Sequence, residues 1–142
     1  MTDKNLLVIT PHRKEPGKQR IAAYCRVSSR SDEQLNSLAN QIDFYRSRFE
    51  NDNTALFVGI YAEEGLSGTQ AENRPQFMKM IEDCRNGLID YIWTKSVSRF
   101  GRNTVDTLIY IRELRTLGID VFFEKENIHS TESSGELMLT LM

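Results

Sequence analysis

Long apolar runs are missing from this chain. The longest, such as Leu6 to Ile9, extend over a few residues, far short of the roughly 20 that span a bilayer. That excludes a membrane-embedded chain. No apolar segment with a small-residue cleavage site follows Lys4, so no export signal is visible and a cytosolic protein is expected. Cysteine is scarce: Cys25 lies in a strand-like run and Cys84 on the apolar face of a helical pattern, with no CxxC and no Cys/His cluster. Two buried, reduced thiols are expected rather than a disulfide framework. Nor is there an excess of one charge. Eighteen Lys and Arg against 20 Asp and Glu leave −2, so no bulk field holds nucleic acid and any such contact must be local. Repeats and low-complexity segments are absent too, and the 142 residues suit one domain with a real core.

What is present alternates short apolar strands with helical periodicity from residue 20 on, the mark of an α/β domain. Ile21 to Val27 reads as a first strand. Ser31-Asp32-Glu33-Gln34 then matches a capping box, followed at helical spacing by Leu35, Leu38, Ile42, Tyr45 and Phe49. Leu56 to Tyr61 is a second strand, and after a long polar loop Phe77, Met80, Ile81 and Cys84 form the stripe of a helix stopping near Asn86-Gly87. Ile89 to Thr94 is a third strand; a basic loop leads to a helix from about Thr104 to Leu117, closed by Gly118, and Asp120 to Glu124 is a fourth strand. A second capping box at Ser133 to Glu136 opens an apolar helix that has barely completed two turns at Met142, which reads as a helix cut short and as a surface for self-association. Residues 1–19, with Lys4, Arg13, Lys14 and Lys18 against Asp3 and Glu15, read as a flexible basic arm or a solubilising leader.

In open α/β sheets ligands bind beyond the carboxyl ends of the strands. There the composition is uniform. Arg26, Ser28, Ser29 and Arg30 end the first strand; Ser67, Gly68, Thr69 and Arg74 follow the second; Lys95, Ser96, Ser98, Arg99 and Arg102 follow the third. Guanidiniums and hydroxyls suit a tetrahedral anion, so a phosphate is the expected guest. Carboxylates and histidines at ligand spacing are missing from these loops, with His12 and His129 far apart, so no metal is expected. Neither a P-loop nor a GxGxxG follows the first strand, and no nucleotide cofactor is expected. Two readings stay open on residues alone: a binding pocket for a small phosphorylated ligand, or a hydroxyl attacking phosphorus while arginines neutralise the non-bridging oxygens.

At Tyr24-Cys25-Arg26-Val27-Ser28-Ser29, with Gln34 and Ser37-Leu38-Ala39-Asn40-Gln41, the chain resembles the start of the serine recombinases, the resolvase/invertase family. Gly65-Leu66-Ser67-Gly68 with Asn73-Arg74 resembles that family's second active-site loop, and Lys95 to Thr104 its third. Ser133 to Met138 resembles the start of its long interface helix, so the likeness runs from Arg20 to Met142 in order. The wording is most similar to the large members, transposases and phage-type integrases of bacterial mobile elements. The resemblance implies a resolvase-like three-layer α/β domain over residues 20–132, with a mostly parallel sheet of four to five strands ordered about 2-1-3-4-5. It also implies the start of a truncated interface helix at 133–142, the DNA-binding domains being absent. By the same resemblance Ser28 is the nucleophile, and Arg26, Arg74, Arg99 and Arg102 bind the phosphate and stabilise the transition state. Ser67 contacts the site, and Lys95, Ser98, Gln34 and Gln41 are flanking candidates. One departure stands out: smaller resolvases carry an aspartate where this chain has Ser98, which leaves a hydroxyl or an arginine-bound water to protonate the departing 3′ oxygen. The implied partners are double-stranded DNA and further copies of the chain, as dimer and tetramer, in the bacterial cytosol near the nucleoid. The implied reaction is site-specific recombination through a 5′-phosphoserine link, with no cofactor.

Overall fold

The computed structural model describes residues 8–9, 14–27, 32–64 and 74–132. Three layers form around a six-stranded sheet ordered β1-β3-β2-β4-β5-β6. The central strand β2 (Gln19–Val27) pairs in parallel with β3 (Ala55–Glu64) on one side and β4 (Tyr91–Thr94) on the other; β5 (Asp120–Phe123) extends the parallel run. Two short antiparallel strands close the edges, β1 (Val8–Ile9) against β3 and β6 (Ile128–His129) against β5. The expected 2-1-3-4-5 order is therefore present, with β1 added outside it.

Alternation along β2 explains the layers. Ile21, Ala23 and Cys25 face helix α1 (Asp32–Glu50) and pack with Tyr45, Phe49, Ala55 and Ile60. Ala22 and Tyr24 face the other way. They meet α2 (Pro75–Arg85) and α4 (Thr104–Thr116) through Phe77, Met80, Ile81, Ile111 and Leu114. Both faces are covered near β2, which is why that strand reads as a near-continuous apolar run.

One irregularity in β3 matters for the site. Ile21 pairs with Phe57 but Ala22 with Gly59, so Val58 is an inserted residue, and Gly59 takes φ 141°, a conformation that L side chains rarely adopt. The bulge reverses the phase of the strand. Ile60 therefore packs in the α1 layer while Val58 and Tyr61 belong to the α2 layer.

Two expectations are corrected. Residues 1–19 are not simply an arm: Val8–Ile9 pair with Ile60 and Gly59, Gln19 starts β2, and Lys14 bonds Asp90 at 2.9 Å. The open edge of β3 offers backbone groups that even two residues satisfy. The basic loop after the third strand is also not all loop. It contains a one-turn helix, α3 (Val97–Phe100), anchored by the fully buried Phe100. The capping residues Ser31 and Ser133 and the helix expected from Ser133 lie outside the described residues, and so do the side chains of Leu35 and Leu38. No helix among the described residues is long and apolar enough to cross a membrane.

Candidate active site

Arg26, one residue from the end of β2, points to the α2 layer, because it shares the face of Ala22 and Tyr24. Beside it, α3 starts two residues after β4 ends and brings Arg99 across: its Nη1 donates to the Arg26 carbonyl at 3.1 Å. Lys95 lies exposed at the same strand end. Among the described residues no acidic side chain pairs with Arg26, Lys95 or Arg99. Arg26, Lys95 and Arg99 thus stand together at the carboxyl ends of β2 and β4.

The other two arginines are held differently. Arg74, only 5% exposed, sends Nη2 to Asp106 Oδ2 at 2.8 Å and Nη1 to the Phe100 carbonyl at 2.5 Å, and its guanidinium lies 3.9 Å from the Phe77 ring centre. Asp106 also accepts from the Arg102 backbone N–H at 3.0 Å and from Arg102 Nη2 at 3.4 Å. One buried carboxylate thus braces two arginines from different loops. Asn103 fixes Asp106 in turn, its Oδ1 accepting from the Asp106 N–H at 2.8 Å to cap α4. Gly101 lets α3 and α4 approach: a Cβ there would overlap Thr107 Oγ1 and lie 2.9 Å from the Thr107 Cβ.

Between these elements a cavity of about 280 Å³ is lined by Ser98, Gly101, Arg102, Thr104, Thr107 and Glu126, among others. Ser98 is exposed, its hydroxyl 3.1 Å from that of Ser96. Glu126 accepts from the Val97 N–H at 3.2 Å and so caps α3, whose own N-cap Ser96 makes no side-chain cap. Deeper in, the buried Tyr24 donates to Glu63 Oε1 at 3.3 Å, and burial first, then the Glu63 charge, pushes its phenol well above its ordinary range while Arg74 and Arg26 pull it down. The Cys25 thiol, buried in the α1 layer, is pushed up to about 12 by desolvation although the Arg99 charge pulls it down, which opposes thiolate formation near neutral pH.

Of the sequence candidates, Arg26 and Arg99 meet directly, and Arg74 and Arg102 meet through Asp106. Gln41 is half-buried on α1, in the opposite layer, with no hydrogen bond to another described residue. Ser28, Ser67 and the side chain of Gln34 lie outside the described residues. Glu63, Asp106 and Glu126 were missed. Asp106 had a signal, four residues after Arg102 at a helix start; the other two are acidic residues in strand and turn segments and carried none. Among the described residues no group of three or more His, Cys, Asp or Glu is placed to hold a metal ion.

The model of the family described as "Resolvase, N terminal domain" matches residues 21–142. The chain belongs to that family. It is a serine recombinase domain, and solved structures agree. A resolvase family site-specific recombinase from Streptococcus pneumoniae is 28% identical with TM-score 0.68, over 87% of this chain and 85% of that one. The N-terminal catalytic domain of TP901-1 integrase is 23% identical with TM-score 0.64, over 87% and 90%. The C-terminal catalytic domain of ISC1926 TnpA, an IS607-like serine recombinase, is 18% identical with TM-score 0.56, over 86% and 77%. The last two likenesses concern the fold. Among curated proteins none matches the sequence.

Proposed function

We propose that this recombinase domain catalyses site-specific DNA strand exchange with Ser28 as nucleophile. The observation that carries the reading is the charge arrangement: among the described residues, Arg26, Lys95 and Arg99 make no ion pair with an acidic side chain at the strand end that leads directly into Ser28. Such a cluster attracts an anion, and a phosphodiester fits bidentate guanidiniums. In the forward step the Ser28 Oγ–P bond forms as the P–O3′ bond breaks; the serine proton passes to solvent water and the 3′ oxygen gains one. Arginines offset the charge on the non-bridging oxygens. With Ser98 in place of an aspartate, a hydroxyl or an arginine-bound water delivers that proton. Attack by a partner strand's 3′ hydroxyl on the phosphoserine reverses the step, and the link conserves the phosphodiester bond throughout. Base recognition lies outside this site, whose donors address phosphates. Dimers and a tetramer form through the segment starting at Ser133, and Ser67 and Gln34 flank the phosphate; Gln41, in the α1 layer, does not.

The test uses the full-length protein encoded by the gene, mixed with plasmid carrying the ends of its own element and then denatured. Protein linked to DNA 5′ ends in wild type, and none in Ser28→Ala despite equal DNA binding, supports the reading. Tight binding of small phosphate esters with no adduct under any condition overturns it in favour of a small-ligand domain.

A further inference from the structure

Arg74 occupies an unusual position. It is the N-cap of α2, held at φ 37° and ψ 60°, a left-handed conformation rare for a residue with a side chain, and its own side chain caps nothing. Its guanidinium is spent on Asp106 and Phe100 instead. Something else must satisfy the first N–H groups of the helix. Pro75 removes one of them; the next two, of Gln76 and Phe77, reach Glu63 Oε2 at 3.4 Å and Oε1 at 2.9 Å. Glu63 is 4% exposed, and it faces α2 because the bulge at Val58–Gly59 reverses the phase of β3. The same Oε1 accepts the Tyr24 hydroxyl, and Glu63 is the register partner of Arg26.

We infer that Glu63 is a positioning residue: from inside the sheet it clamps the start of α2, and hence Arg74, to the end of β2 that carries Arg26 and leads to Ser28. With its oxygens engaged by two helix N–H groups and a phenol, it is held away from DNA and acts through Arg74 alone. Its importance for strand cleavage rests on the recombinase reading; the geometry does not.

Two measurements on the full-length protein separate these. The Nε–Hε resonance of Arg74, assigned by its loss in Arg74→Lys, reports where the guanidinium sits. Single-turnover adduct formation and DNA Kd report the consequence. In Glu63→Leu the Arg74 resonance moves to the solvent-exchanging position and adduct formation slows about 100-fold, the scale of a small misplacement of a reacting group, while Kd stays within about twofold. Glu63→Gln keeps an acceptor for the Phe77 N–H, retains the resonance and recovers to within about tenfold of wild type. An unmoved Arg74 resonance in Glu63→Leu, or failure of Gln to restore it, overturns the inference. If the leucine variant does not fold, Tyr24→Phe decides: a shifted Arg74 resonance supports the clamp and an unchanged one overturns it. If wild type forms no adduct, the recombinase reading falls and the resonance still decides the clamp.

Discussion

Asp106 offers the sharpest energetic test of the site. Its carboxylate and the Arg74 guanidinium are 9% and 5% exposed and 2.8 Å apart, and the same carboxylate receives the Arg102 backbone N–H at 3.0 Å. Removing one partner of a buried ion pair strands the other charge, which costs about 3–5 kcal/mol. Against a total stability of about 5–15 kcal/mol that is a large share. For a domain of this size each kcal/mol moves Tm by roughly 3–5 °C, so Asp106→Ala should lower Tm by about 10–20 °C. Urea unfolding followed by the single tryptophan reads this directly, because Trp93 packs 5.2 Å from Phe49 and 4.9 Å from Phe122 between ring centres. Replacing Arg74 by Met in the Asp106→Ala background removes the stranded charge, so the double variant should be more stable than the sum of the singles by about 2 kcal/mol. A cost below about 1 kcal/mol for Asp106→Ala, or strict additivity in the cycle, would refute the bracing role.

Other expectations follow from the same geometry. Gly101→Ala, which drives a methyl into Thr107, should cost about 1–3 kcal/mol by urea unfolding and slow adduct formation, since the residue precedes Arg102. Burial alone would raise the Asp90 carboxyl, but hydrogen bonds from the Arg20 side chain and backbone and from Lys14 hold it at about 2. A carboxyl depressed on folding adds stability that is present above the unfolded pKa near 4 and is lost as pH falls toward 2. The stability gap between wild type and Asp90→Asn, about 1–2 kcal/mol at pH 7 after allowing for solvent screening, should therefore close between pH 4 and pH 2. Replacing Arg99 by Ala should weaken DNA binding whatever the sequence and reduce the salt slope of log Kd by about 1. The thiols of Cys25 and Cys84, both raised by burial to about 12, should resist a thiol reagent at pH 8 until the chain unfolds.

How far the sequence alone reaches depends on how local each signal is. Strands β2, β4 and β5 and helices α2 and α4 were legible because apolar spacing and caps are local, as at Asn86-Gly87 and Gly118. The arginines were legible because loops after parallel strands collect ligand groups. Strand β1 was invisible: two residues carry no period, and their pairing depends on the distant edge of β3. The bulge at Val58–Gly59 was equally hidden, since a Gly in an apolar run signals it only weakly. Glu63 shows the consequence, because a phase reversal decides that its side chain faces α2 rather than α1. Asp106 and Glu126 act across 32 and 29 residues, on Arg74 and Val97, and no spacing rule anticipates a carboxylate serving a helix or an arginine elsewhere in the chain.

The central claim is that Ser28 takes the phosphate, and peptide mapping tests it most directly. Adduct formed on the element's own DNA would be digested with nuclease and protease and the modified peptide sequenced by mass spectrometry. The account predicts a nucleotide phosphate on the Ser28 hydroxyl and on no other residue. A phosphate found on Ser29, Ser67 or Ser98, or an adduct that persists in Ser28→Ala, would contradict it.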